Sequence, residues 1–180
     1  MSADYVVFPN GTAYQAAIEI NDTASYQFAS IGLMGENVPV NVGNVNLSGE
    51  KCSVCTYAWN RPWGSPASIT FEPGNYTVSY IAPLNNNDLQ ASFEVPYNVN
   101  VTIPQEFDIR NPLLAGISTG ANVTRHPDNS TTVQWNKILS FDLRFYDQSH
   151  EELLYFFLQV LVIIAIVMLL PFLINRKGNE

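Results

Sequence analysis

Through the first 150 residues apolar and polar side chains mostly alternate, a period of two that predicts β-strands, and beyond them the chain turns into one unbroken apolar run. The clearest alternation is Leu89 to Tyr97, with Leu89, Ala91, Phe93, Val95 and Tyr97 on one face and Gln90, Ser92 and Glu94 on the other. Such a strand has one face in a core and one in water. Before it, a turn is expected at Pro73-Gly74-Asn75, followed by a strand carrying Tyr76, Val78 and Tyr80. After it come Val99, Val101 and Ile103, then Thr131 to Ile138 with Val133 and Trp135, then Phe141, Leu143 and Phe145 opposite Asp142, Arg144 and Tyr146. In the first sixty residues strands are expected near Tyr5 to Phe8, Gln15 to Ile20, Tyr26 to Leu33 and Val38 to Val42. Asn10-Gly11, Asn21-Asp22 and Gly35-Glu36 separate them.

Short strands with turn signals about every ten residues point to an all-β fold, a β-sandwich of immunoglobulin-like or Greek-key type. Residues 1–60 read as an N-terminal β-module or as the first half of one sandwich, and 61–150 as the β-sandwich module. Arg61-Pro62-Trp63-Gly64-Ser65-Pro66 is the expected linker.

The apolar run, Leu153 to Ile174, contains 22 residues without a charge. As a helix it would be about 33 Å long against a hydrocarbon core of about 30 Å, so residues 151–174 read as a single transmembrane helix. Asp147, Glu151 and Glu152 precede it and Arg176 and Lys177 follow it. The positive-inside rule then places the tail, 175–180, in the cytoplasm and the β-domain outside. Pro171 falls near the end of the span, where a missing donor costs least. Gln159 is the strongly polar side chain within the run; it either reaches interfacial water or bonds to a neighbouring helix. The start, MSADYVVFPNG, has neither a basic nor an apolar signal region, and reads as a processed form with its export signal removed.

Composition narrows the picture. Only 13% of residues are charged and the net charge is -8, without a basic patch, which argues against nucleic acid as a partner. The chain has 19 Asn and 23 Ser or Thr, from which chance would give roughly two or three Asn-x-Ser/Thr triplets. Seven occur, at Asn10, Asn21, Asn46, Asn75, Asn100, Asn122 and Asn129, and their excess favours a glycan-bearing outer surface. Asn-rich β-turns are the competing source of such triplets.

Cys52-Ser53-Val54-Cys55 is the motif best suited to chemistry. A local structural disulfide or a pair of thiols is favoured over a redox pair, which needs a helix N-terminus that CSVCTYAW does not suggest. Zinc would need His126 and His150 from far along the chain. Both histidines read as solvent-exposed, His126 in a Pro-Asp turn and His150 beside the apolar helix. Asn85-Asn86-Asn87-Asp88 has oxygen ligands but not the spacing of a calcium loop, and reads as a polar hairpin turn. Tyr57, Trp59 and Trp63 could cover the end of a sheet or present an aromatic surface to a partner or carbohydrate, the former being favoured. No nucleophile elbow, phosphate loop or HExxH occurs, so neither a catalytic residue nor a cofactor is expected.

The segment NPLLAGISTGANVTRHPDNSTTVQWNKILSFDLRFYDQ, followed at once by one span and a short basic tail, resembles an uncharacterised archaeal membrane-anchored family of haloarchaea and methanogens. The resemblance covers roughly Arg61 to Lys177 and rests on Asn111 to Gly116, Val133-Gln134-Trp135 and Arg144-Phe145-Tyr146. Haloarchaeal members would be more acidic and start with a lipoprotein-like signal. This chain has neither, so a methanogen-type source fits better and lipidation is unsupported. The resemblance implies no activity.

Three functions are compatible with these features. The first is a non-enzymatic envelope protein anchored in the lipid bilayer, whose β-domain binds or scaffolds other envelope or membrane proteins or glycans. The second is an accessory subunit of a larger membrane complex, meeting partner helices through Gln159. The third is an extracytoplasmic redox protein using Cys52 and Cys55.

Overall fold

The computed structural model describes residues 1–31, 36–50 and 52–177. Gly35 of the expected Gly35-Glu36 turn, the end of the Tyr26 to Leu33 strand and the last three residues of the tail lie outside the described residues. The chain is mostly β-structure with one C-terminal apolar helix. In order, the strands are β1 (Ser2–Val7), β2 (Ala13–Gln27), β3 (Ala29–Ile31), β4 (Asn37–Pro39), β5 (Gly43–Gly49), β6 (Ala58–Asn60) and β7 (Ser68–Pro83). There follow β8 (Asp88–Ile103), β9 (Phe107–Asp108), β10 (Gly116–Ile117), β11 (Asn122–Arg125), β12 (Thr131–Arg144) and β13 (Tyr146–Asp147), and the helix α1 (Gln148–Lys177).

Nine strands are hydrogen-bonded into one sheet. Seven run in the order β10, β12, β8, β1, β2, β7, β5, with β11 also on β12 and β6 also on β7. Among the described residues the β1–β8 pair of this sheet is parallel and its other pairs are antiparallel. Strands from residues 1–60 and from 61–150 therefore share the same ladder. The expected linker at Arg61 to Pro66 is instead the loop of the β6–β7 hairpin, in which Asn60 faces Ser68 across the ladder.

Four strands are far longer than the alternation suggested, and in two of them positions that read as turns are bulges within the strand. Asn21-Asp22 was expected to separate two strands, yet β2 passes through it, and β7 passes through Pro73-Gly74-Asn75. Two β2 residues oppose one between Ile20 and Thr23, then three β7 residues oppose one between Thr23 and Ser25. The β8–β12 pair repeats the device. Two β12 residues oppose one between Trp135 and Ile138, then four β8 residues oppose one between Ile138 and Ser140. Each bend is held in the same way: Asp22 (φ 51°) donates its N–H to Asn75 Oδ1 at 3.0 Å, and Lys137 (φ 53°) donates its N–H to Asn98 Oδ1 at 3.1 Å. Bulges bend a strand and increase its twist, so the sheet curls over its own inner face. Tyr5 of β1 thereby meets Phe141 of β12, ring centroids 5.3 Å apart, although β8 lies between their strands.

The inner face is the core. Tyr5, Ile18, Val78, Val99, Val101 and Trp135 are among its buried residues. The Leu89 to Tyr97 alternation holds at Leu89 and Tyr97, but Val95 is exposed because β8 leaves β12 there. The expected strand Val38 to Val42 is replaced by β4 and β5 on either side of Val40 to Val42.

Tight turns close the end nearest the helix. Asn86 and Asn87 both have positive φ between β7 and β8, as a two-residue hairpin turn requires, so Asn85 to Asp88 is a polar turn. Gly11 (φ 67°) turns the chain between β1 and β2, and a Cβ there would lie 2.6 Å from Phe107 Cζ. Both backbone strain and this clash oppose a side chain. Gly11→Ala is expected to lower stability by about 2 to 4 kcal/mol, read from the urea midpoint of the folded protein. An unchanged midpoint would refute the clash.

Helix α1 follows β13 without a linker. β13 pairs with β9, Phe145 donates its N–H to Asn87 O at 3.1 Å, and Asp147 caps the first turn by accepting from His150 N at 3.0 Å. From Gln148 to Leu169 the helix is long and apolar enough to cross a membrane, with a mean hydropathy of 2.6 in its most apolar window and none of that window buried.

Candidate functional site

The residues singled out from sequence fall in separate places. A disulfide joins Cys52 and Cys55, whose Cα atoms are 5.3 Å apart, in the loop after β5. Cys55 is buried and its N–H donates to Leu47 O at 2.7 Å, so the pair fastens this loop to the sheet and lies on no helix end. His126 and His150 lie at opposite ends of β12. The His126 ring is 2.9 Å from Thr132 Oγ1 in the β11–β12 turn. His150 Nδ1 is 2.6 Å from Asp147 Oδ1, and this hydrogen bond holds the Asp147 carboxyl below the usual carboxylate range. Among the described residues no group of three His, Cys, Asp or Glu is placed to hold a metal ion.

Five of the Asn-x-Ser/Thr asparagines, Asn10, Asn21, Asn75, Asn122 and Asn129, are exposed, and Asn46 and Asn100 are half-buried in strands. Three have structural work of their own. Asn10 Oδ1 accepts from Thr12 N and Oγ1, Asn75 Oδ1 accepts from Asp22 N, and Asn100 Nδ2 donates to Asp4 Oδ1 at 2.7 Å. Gln159 is exposed on the helix between Tyr155 and Val162.

The aromatic trio divides between its two readings. Trp59 covers the end of the sheet, 5.6 Å from Phe28 and 5.9 Å from Tyr57, with the Arg61 guanidinium 4.5 Å from its ring centre. Trp63, at the tip of the β6–β7 loop, touches nothing and is fully exposed. The tip lies at the start of β7, while the far end of β7 reaches the turns beside the helix. At about 3.3 Å per residue the two are separated by roughly 50 Å of strand.

One concavity was not legible in the sequence. It is a cleft of about 830 Å³ between β2 beyond its bend, the first residues of β7 and the part of β8 that has left β12. Ser25 and Gln27 come from β2, Ser68 and Thr70 from β7, and Ser92 and Glu94 from β8. Its lining also includes Phe93 and Tyr97, whose rings stack 4.4 Å apart. Tyr97 donates its hydroxyl to Glu19 O at 2.6 Å, and burial together with Glu19 raises its pKa. Tyr26, also in the lining, belongs to a cluster of core tyrosines with Tyr5, Tyr14 and Tyr80. Burial raises the pKa of each of them, that of Tyr14 to about 12. The cleft thus offers hydroxyls, the amides of Asn21 and Gln27, one carboxylate and aromatic faces, which is equipment for binding. A signal was present in the hydroxyl and amide residues clustered at Thr23 to Gln27. Nothing in their spacing tied them to Ser68 or Ser92.

No curated protein matches the chain. One family profile aligns with residues 3–176, nearly the whole length, and its description is a family of unknown function (DUF5803). The chain belongs to the DUF5803 family.

Proposed function

We propose that this protein is a single-pass, membrane-anchored cell-envelope protein whose outer β-domain binds or scaffolds envelope components without catalysing a reaction. The observation that carries this reading is the helix. Among the described residues none of its most apolar stretch is buried, and an exposed patch of that size in water would demand a cover that lipid supplies. The acidic residues before it and the basic ones after it support an outside β-domain and a cytoplasmic C-terminus. Exposed sequons, a disulfide and the resemblance to an archaeal membrane-anchored family support an extracytoplasmic, glycosylated surface. The curled sheet, one half lying over the other, supports a sandwich-like module that presents its loops away from the membrane.

The test combines external protease on intact cells with mass spectrometry of the gently extracted protein. The β-domain is expected to be cut from outside and to carry added mass at sequons. A protected domain with bare sequons would overturn the orientation.

A second reading, an accessory subunit of a membrane complex, is favoured by Gln159, an amide held on the open face of the helix. Interhelical hydrogen bonds of this kind are worth about 0.6 to 2 kcal/mol. Gln159→Leu should then deplete co-purifying chains severalfold after mild extraction, while equal recovery would leave the free-standing module as the sole reading.

A further inference from the structure

We propose that the cleft between β2, β7 and β8 is a saccharide-binding site that takes a short stretch of neutral oligosaccharide. The proposal rests on the envelope-binding reading and names its ligand class.

The cleft is built into the fold. Four β8 residues, 93–96, oppose a single residue of β12, so this stretch of β8 leaves the ladder and faces the bent ends of β2 and β7. Pro96, which has no N–H to give a ladder, lies in that stretch, as prolines in sheets do at bulges. The departing segment carries Phe93 with it. The Phe93 and Tyr97 ring planes lie 26° apart, and the Tyr97 hydroxyl is held by Glu19 O, so the pair is a fixed, nearly parallel stack. Phe93 is half-buried and lines the cleft, so part of its ring remains open to a ligand. An apolar ring face of this kind suits the C–H face of a pyranose.

The polar groups complete the match. Ser25, Gln27, Ser68, Ser92 and Glu94 are among the lining residues, and their side chains make no hydrogen bond to the protein among the described residues. Together they both donate and accept, as the hydroxyls of a sugar do. Charge narrows the class. Among the described residues no Lys, Arg or His side chain lines the cleft and Glu94 is its charged side chain, so a phosphate, sulfate or uronate would meet a carboxylate with no basic side chain to offset it. An acyl chain would have to desolvate these hydroxyls without replacing their hydrogen bonds. A volume of about 830 Å³ lies within the range of about 300 to 1,000 Å³ usual for ligand clefts.

The test uses the full chain in nanodiscs, carrying Asn21→Gln throughout so that no glycan of its own stands at the cleft mouth. Calorimetric titrations are run with three neutral hexasaccharides, maltohexaose, laminarihexaose and chitohexaose, and with hexagalacturonate as the acidic counterpart. At least one neutral probe is expected to bind with a Kd of about 1 mM or tighter, and hexagalacturonate to bind at least tenfold more weakly. Phe93→Leu keeps an apolar side chain but removes the flat ring, and is expected to weaken binding roughly tenfold. Trp63→Ala, at the separate loop tip, is expected to leave it unchanged. Failure of all three neutral probes to bind, or an affinity within about twofold after Phe93→Leu, would overturn the proposal. Binding lost in Trp63→Ala and kept in Phe93→Leu would remove the cleft while sparing the envelope-binding reading.

Discussion

Raising the pH from 10 towards 12 is expected to unfold the β-domain in one cooperative step. Tyr5, Tyr14 and Tyr80 are at most 8% exposed, and burial raises the pKa of all three above the usual 10, that of Tyr14 to about 12. Below pH 10 the phenols are neutral in both folded and unfolded chains, and their burial contributes fully. Above it the unfolded chain releases their protons while the folded chain holds them. Each buried tyrosine then costs about 1.4 kcal/mol of stability per pH unit, and three together roughly 4 kcal/mol. Over two units this rivals the whole stability of an ordinary domain, about 5 to 15 kcal/mol. Phenolate absorbance near 295 nm and the far-UV dichroism should therefore change together. Tyr5→Phe should move the midpoint to higher pH. Tyrosines that titrate near pH 10 while the dichroism stays native would sink the idea.

Trp135→Ala should be the most damaging single truncation in the core. The indole is 1% exposed, its ring centre is 5.1 Å from that of Phe141, and its Nε1–H donates to Ser118 O at 3.2 Å. The ring thus joins β12 on either side of its own bulge, and ties it to the segment after β10. Removing it leaves a cavity and an unpaired carbonyl, costing about 3 to 5 kcal/mol. Trp135→Phe, which keeps a ring against Phe141 and loses only the hydrogen bond and part of the volume, should cost less than half as much. Urea titration of both variants checks this. Equal losses would mean that the ring contact contributes little and the hydrogen bond most.

What could be read from the sequence followed the range of the physics involved. The long apolar helix was legible because its length and lack of charge belong to one contiguous stretch, Leu153 to Ile174. Strand faces were legible at Leu89, Val99 and Val133 because alternation is local too. Strand length was not. Asn21-Asp22 and Pro73-Gly74 carry the residues that turns and bulges both favour, and only the partner strand decides which is made. The Asn75 and Asn98 clamps show the choice being made, each fixing a bend through a hydrogen bond from another strand. The cleft was hidden for the same reason. Its lining comes from three strands whose proximity is created by those bends. Trp63 was singled out early, but the exposure that separates it from Trp59 depends on the hairpin loop that lifts it off the sheet.

The single parallel pairing also has a kinetic meaning. β1 can pair with β2 as soon as both exist, since Tyr5 meets Ala16 across a short turn. Its other edge must wait for β8, where Tyr5 meets Val101. β1, which precedes the other strands of the sheet in the chain, is therefore flanked on one side only until most of the domain has followed it. An edge left open for so long slows folding and invites pairing with another chain. This edge is the part of the sheet most in need of protection before folding is complete, and the arrival of β8 is the event that closes it.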